Sequence, residues 1–333
     1  MARDIRVAVI GAGGVAQVVH LPILKRLPDL DVAAIVDPQR AKARTIADRF
    51  GVQGVFQEVG DLASIDGLDA VVICTPNDVH EENAIACLEM GLHVLCERPL
   101  STTSASARRM IEAAEAADRQ LMVAMNQRFR YDARAIRQFV ASGELGDVFF
   151  VRSSWLNRRV NRPRRGWKRL AHRAGGGVLM DLGVQAIDLA LWLAGYPRVE
   201  RVSARFHRRE EVEDSAVVLM AIEGGGTVSV EVTWELMEDR DRHAVYVLGT
   251  RGSASTSPFR VLKELETGLT EVTPPLDVAP SGLYTASYRQ EWAYFLRRVR
   301  GERPREVQEN QIHLLEVVEA CYASVEEERE VSV

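Results

Sequence analysis

A chain of 333 residues is long enough for two domains, and 47% hydrophobic with 27% charged residues is ordinary for a globular protein. A formal charge of −5 argues against nucleic acid as a general partner, and no apolar run is read as reaching the ~18–20 residues of a membrane helix. Cys74, Cys87, Cys96 and Cys321 form no C-x-x-C pair, so buried free thiols are expected rather than disulfides or a metal site, and no signal peptide is expected, which leaves a reducing cytoplasm as the default.

In chain order, β-branched runs alternate with helical patterns through the first third. Runs 5–10, 32–36, 70–74, 93–96 and 121–125 predict buried parallel strands. Between them, 15–27, 40–50, 79–90 and 104–117 carry apolar residues at helical spacing. This rhythm predicts a doubly wound α/β sheet, a Rossmann dinucleotide-binding domain over residues 1–125. After that the pattern changes: a helix over 132–142, a strand over 148–155, a polar basic loop over 157–173 and a helix over 178–194. Strands follow at 200–207, 215–222, 227–235 and 244–249, with Gly224-Gly225-Gly226 as a hairpin turn, and helices at 284–300 and 308–326 close the chain. Successive strands predict a mostly antiparallel sheet, hence an α+β second domain over 126–333.

Gly11-Ala12-Gly13-Gly14-Val15-Ala16 sits between the first strand and the first helix. Gly11 permits a tight turn, Gly13 lets backbone approach a pyrophosphate, and Ala16 allows close helix–strand contact. Gly14 and Val15 open the helix, whose amides and dipole favour an anion. Asp37 ends the next strand, where a carboxylate bonds adenosine ribose hydroxyls and repels a ribose phosphate. NAD is therefore favoured, while Arg40 and Lys42 nearby keep NADP open. Glu97-Arg98-Pro99 places an acid and a permanent cation at another strand end, where open parallel sheets bind ligands.

Thr75-Pro76-Asn77-x-x-His80, Glu97-Arg98-Pro99, and the run from Gly176-Gly177 through Asp181 to Gly183 resemble the glucose–fructose oxidoreductase/inositol dehydrogenase/rhizopine-catabolism (Gfo/Idh/MocA) family. Asn126-Gln127-Arg128-Phe129 and the closing Glu319 to Ser324 are similar to it as well. The resemblance implies an N-terminal Rossmann domain and a C-terminal domain whose large open sheet assembles homodimers or homotetramers. It also implies a sugar, polyol or related substrate oxidised or reduced at one carbon. By position, Gly11, Gly13 and Ala16 would hold the pyrophosphate and Asp37 the adenosine ribose. Thr75, Pro76, Asn77 and His80 would line the cofactor, Glu97 would meet the nicotinamide ribose, and Asn126 would sit near the nicotinamide. His80 has a competing reading as a half-exposed helix start.

Two positions depart from the family pattern: Arg98 stands where Lys is usual, and Gln185 where His is usual. Asp181 and Gln185 keep the i, i+4 spacing of one helix face, with Asp188 a turn further on. Arg98 can stabilise a developing alkoxide but cannot be the base, and Gln185 has no titratable proton. The proton must then pass to Asp181, to water, or to a group of the basic loop such as Lys168 or His172. Asp181 could equally pair or cap locally. The seven arginines and Lys168 between Arg158 and Arg173 read either as anion recognition, for a phosphorylated or carboxylated sugar, or as a solvated loop that pairs with acids. Three functions stay open: an NAD-dependent oxidoreductase, a non-catalytic dinucleotide-binding sensor, and a hydrolase or lyase using tightly held NAD.

Overall fold

The computed structural model describes residues 4–159, 166–266, 268–276 and 278–333. Arg162, Arg164 and Arg165 of the basic loop lie outside the described residues. Contacts divide the chain into one compact unit of 1–124 with 288–312, and a second of 125–287 with 313–333.

In the first unit, six strands form a wholly parallel sheet: β1 (Ile5–Ile10), β2 (Leu30–Val36), β3 (Gly54–Phe56), β4 (Ala70–Ile73), β5 (His93–Cys96) and β6 (Leu121–Val123). Their spatial order is β3-β2-β1-β4-β5-β6, the dinucleotide-binding arrangement in which the order reverses beside β1. β1 and β4 are buried on both faces, as expected where helices cover both sides of a parallel sheet. Edge strand β3, only three half-buried residues long, gave no sequence signal. At the other edge, Gln308 Oε1 accepts from the Val123 amide at 2.8 Å, and Gln120 exchanges side-chain bonds with the Glu306 backbone. The returning segment thus covers the free edge of β6.

The second unit is built on nine strands: β7 (Val148–Arg158), β8 (Val199–Arg208), β9 (Glu213–Ile222), β10 (Gly226–Leu236), β11 (Arg242–Gly249), β12 (Gly252–Thr256), β13 (Phe259–Leu265), β14 (Gly268–Glu271) and β15 (Val331–Ser332). Their order is β14-β13-β12-β11-β7-β10-β9-β8-β15, antiparallel except between β7 and β10. Gly224 and Gly225 turn the β9–β10 hairpin, as the sequence predicts. The sheet alternates cleanly: Val228, Val230, Val232 and Trp234 of β10 are buried, whereas the neighbouring strand's Val217 and Leu219, on the opposite face, are about half exposed.

Two expectations need revision. Ala171–Leu193 is long and apolar enough to cross a membrane by length and composition, its best window having mean hydropathy 1.4, yet that window is 89% buried within the protein. The sequence reading missed it because Gly175 to Gly177 interrupts the run. The predicted helices at 15–27 and 178–194 are also irregular. Each contains a wide π-helical turn, Ala16–His20 and Leu179–Gly183, before the α-helical parts Leu21–Leu24 and Val184–Leu193. All four cysteines are free and buried, as expected, and burial pushes the Cys87 thiol up to about 12.

Candidate active site

The turn after β1 has the shape its glycines require. Gly11 has φ +94°, and a Cβ there would lie 2.7 Å from the Cys74 carbonyl oxygen, so only glycine fits. Around Gly14 a Cβ would meet nothing within 4 Å, so the protein itself does not demand glycine there. That open space above a helix start is what a pyrophosphate needs, and the turn fits one. Val15 is half-buried and Ala16 fully buried, consistent with close helix–strand packing. Asp37, nearly buried at the end of β2, accepts from the Ala12 amide at 2.9 Å, the Gln39 amide at 3.0 Å and Lys42 Nζ at 2.8 Å. Burial alone would raise its pKa, but Lys42 and the two amides outweigh it, and the carboxyl sits below its ordinary range. Lys42 therefore already occupies part of the acid assigned to the ribose.

Past β4, Thr75 and Pro76 are half-buried and Asn77 is buried. His80 opens the helix His80–Glu89 but is fully buried, not half exposed. Its Nδ1 lies 2.9 Å from the Pro99 carbonyl and its Nε2 3.1 Å from the Thr75 carbonyl. The ring thus clamps the β4 turn to the β5 turn. Burial lowers its pKa against the pull of these carbonyls, and the ring acts as a spacer between two backbone segments.

At the end of β5, Glu97 is buried and accepts from His20 across 2.8 Å. Trp292 Nε1 lies 3.1 Å from His20 Nδ1, and an indole N–H can only donate. His20 Nδ1 must therefore accept, which places the imidazole hydrogen on Nε2, pointing at Glu97. Tyr288 and Trp292 pack edge-on against the same ring, at 5.9 and 5.8 Å. Burial favours a neutral Glu97, but the His20 bond and the charge and amide of Arg98 prevail and lower its pKa. Arg98 is half-buried, and the peptide bond to Pro99 is cis. Sequence reasoning missed His20 and Trp292. Only the position of His20, one turn after Ala16 on the helix that leaves the glycine turn, could have pointed to it.

Within the second unit, Asn126 is buried and donates from Nδ2 to Ser287 Oγ at 2.9 Å. The helix carrying Asp181 is anchored by Glu213, whose Oε1 accepts from the Gly177 amide (2.8 Å), the Leu179 amide (3.0 Å) and the Tyr322 hydroxyl (2.8 Å). A Cβ on Gly177 would overlap the Glu213 carbonyl, which explains the glycine of that motif. The closing segment around Tyr322 therefore serves to hold this helix start. Asp188 is not near-vacant chemistry: Arg128 pairs with it in bidentate fashion and the Tyr196 hydroxyl donates to it at 3.2 Å.

Gln185 is buried, and its Nε2 reaches the Asp181 carbonyl at 3.4 Å, so the two share a helix face as their spacing predicts. Lys168, from the basic loop, donates to Asp181 Oδ1 at 2.5 Å. His172 is exposed on the short turn Ala171–Ala174. Three of the loop's other described cations pair with acids of the same chain: Arg158 with Asp241, Arg159 with Glu235 and Arg169 with Glu210. Those three arginines follow the acid-pairing reading.

A parallel sheet in this order, with a glycine turn after β1 and an acid ending β2, defines a dinucleotide-binding Rossmann protein. The chain belongs to the Gfo/Idh/MocA oxidoreductase family: residues 5–125 match "Oxidoreductase family, NAD-binding Rossmann fold" and 133–255 match "GFO/IDH/MocA C-terminal domain". Its cofactor is NAD. A D-glucoside 3-dehydrogenase of Escherichia coli is 28% identical over 277 residues, covering 77% of this chain and 78% of that protein. A myo-inositol 2-dehydrogenase of Thermotoga maritima is 28% identical over 98% of both chains. Among solved structures, GenD2 from gentamicin A biosynthesis in complex with NAD superposes with TM-score 0.86 at 26% identity, over 100% of this chain and 97% of that one.

Proposed function

We propose that this protein interconverts an alcohol and a carbonyl on a sugar, polyol or related compound, with residues 1–125, joined by 288–312 of the same compact unit, binding the cofactor and the rest of 126–333 binding substrate and assembling homo-oligomers. The observation that carries this reading is the Lys168–Asp181 pair. It returns a lysine to the acid that the family pattern uses, although the usual Lys and His are Arg98 and Gln185. That pair favours an enzyme over a non-catalytic sensor, since a binding protein has no need of a proton carrier at Asp181.

NAD, when bound, supplies the hydride acceptor. Gly11, Gly13, Gly14, Val15 and Ala16 would hold its pyrophosphate, Asp37 its adenosine ribose, and Thr75, Pro76, Asn77, His80, Glu97 and Asn126 its remainder. His80 and Glu97 would act largely by fixing the turns, because their polar atoms already have protein partners. In oxidation the C–H bond would give up hydride, the O–H bond its proton to the Asp181 carboxylate of the Lys168–Asp181 pair, and C=O would form. Lys168 holds Asp181 in place, Arg98 stabilises the developing alkoxide, and Gln185 orients the hydroxyl. Reduction reverses each transfer, with the protonated pair as acid. Lys168 and His172 form the substrate-facing edge, which suits an anionic sugar.

Buried free thiols support a reducing cytoplasm. Half-exposed Val217 and Leu219 on the open sheet face support a homodimer or homotetramer through that sheet. Incubation with NAD and a panel of neutral and charged sugars and polyols, following NADH absorbance, tests the activity. Turnover on at least one is expected; tight NADH binding without turnover on any would return the reading to a sensor.

A further inference from the structure

Glu291 is a buried ionisable group that neither the fold nor the mechanism above uses. It is completely buried, and neither carboxyl oxygen has a hydrogen-bond partner among the described residues. Burying such a group without partners is costly unless something that arrives later supplies one. Its neighbours on the same helix, Tyr288 and Trp292, pack on His20, which holds Glu97. The charges that bear on it are those of Glu97 and Arg98 at the end of β5. This places Glu291 in the corner that the β5 end makes for the nicotinamide.

Two acids in that corner are driven to opposite states. Glu97, with the His20 N–H and the Arg98 amide directed at it, is held ionised. Burial first, and then the Glu97 charge, raise the pKa of Glu291 well above the usual carboxylate range, although Arg98 opposes them. Environments that push paired carboxyls apart in this way mark acid–base function.

We propose that Glu291 is a cofactor-linked proton site, neutral in the protein alone and beside the reduced nicotinamide, and ionised when the cationic oxidised ring is bound. The inference rests on the NAD-binding reading with Glu97 on the nicotinamide side. The balance is simple. Binding of the oxidised cofactor would release the carboxyl proton to solvent and leave a buried carboxylate within reach of the ring's positive charge. With the reduced, uncharged ring the carboxylate would take a proton back. Glu291 changes protonation only; the substrate is oxidised and the cofactor reduced. The hydroxyl proton is a separate one and goes to the Lys168–Asp181 pair.

The test is calorimetric titration of NAD+ and of NADH into the full-length protein at neutral pH, in two buffers of different ionisation enthalpy, which counts protons. NAD+ should release a proton and NADH should not. Glu291→Gln should abolish that release and weaken NAD+ relative to NADH on the order of tenfold, the effect of removing one nearby charge. Infrared difference spectra of the parent protein give a second readout free of any mutant: the carboxylic-acid carbonyl band should vanish with NAD+ and persist with NADH. Equal proton counts for both cofactors, a release that survives Glu291→Gln, or a band indifferent to the cofactor overturns the proposal alone. Failure of both cofactors to bind overturns the cofactor reading and takes the proposal with it.

Discussion

At the scale of single residues, the site divides into side chains that a strand end advertises and side chains that only folding brings near. Asp37, Glu97 and Arg98 belong to the first group, because charges at the carboxyl ends of buried runs stand out in the sequence. Lys168 belongs to the second: thirteen residues before Asp181 within a basic loop, it had seven arginine neighbours to compete with for attention and no periodicity to single it out. His20, Trp292 and Glu291 were equally silent, since the contact between His20 and Trp292 spans 272 positions. Two substitutions probe this level. Lys168→Met should lower kcat by about 10²–10⁴-fold, the usual contribution of the general acid or base it holds in place, while the NADH affinity measured by fluorescence titration stays near the parent's. Unchanged kcat would remove Lys168 from the chemistry. Asp37→Ser should release Lys42 toward a ribose phosphate and shift the NADP-to-NAD affinity ratio upward by about tenfold or more; a ratio that does not move would mean Lys42 faces elsewhere when the cofactor is bound.

Among the elements, the long central strands and the helices with strong apolar spacing were legible, and the irregular or peripheral pieces were not. β3 has three residues and β15 two, too few for an alternating pattern to register. β12, β13 and β14 are short, and β14 is almost wholly exposed, so the usual hydrophobic signal is absent. The π-helical turns were invisible because apolar spacing over so few residues does not distinguish them from α-helix. The glycine pair Gly176-Gly177 read as family likeness, and its cause lies far away in sequence, at Glu213 and Tyr322. Glu213→Ala should leave the Gly177 and Leu179 amides unpaired in a buried place and cost about 2–4 kcal/mol of stability, read from denaturant midpoints. A loss of a few tenths would show that the helix start is held by packing instead.

For the whole molecule, acid sensitivity and assembly are the accessible observables. His243 is half-buried against Arg130, whose Nη1 donates to Nδ1 at 3.0 Å, and desolvation first, then that charge, hold its pKa down at about 3. His93 is likewise lowered to about 4, chiefly by burial and then by Arg119. An unfolded imidazole takes up a proton near pH ~6.5. Below that pH the unfolded chain binds protons the native one refuses, so stability is fullest above ~6.5 and falls as the pH drops toward about 3 to 4. Melting temperatures from pH 7 to 4 should show this decline, and His243→Asn, which keeps an acceptor for Arg130, should flatten it; an unchanged slope would exclude His243 as a contributor. Leu219→Lys on the open sheet face should lower the mass measured by light scattering to that of one chain, and a parent already monomeric would sink the sheet-mediated assembly.

The chain passes from one compact unit to the other at 124/125, 287/288 and 312/313. Neither unit is therefore a contiguous cassette. A fragment ending at residue 124 would lack Trp292, which fixes the hydrogen on His20, and Gln308, which caps the edge of β6. Recombination that swaps one contiguous amino-terminal module between relatives would leave His20 and the end of β5 without the helix that carries Trp292. The heritable unit of cofactor binding here is two stretches of sequence more than 160 residues apart, and they have to vary together.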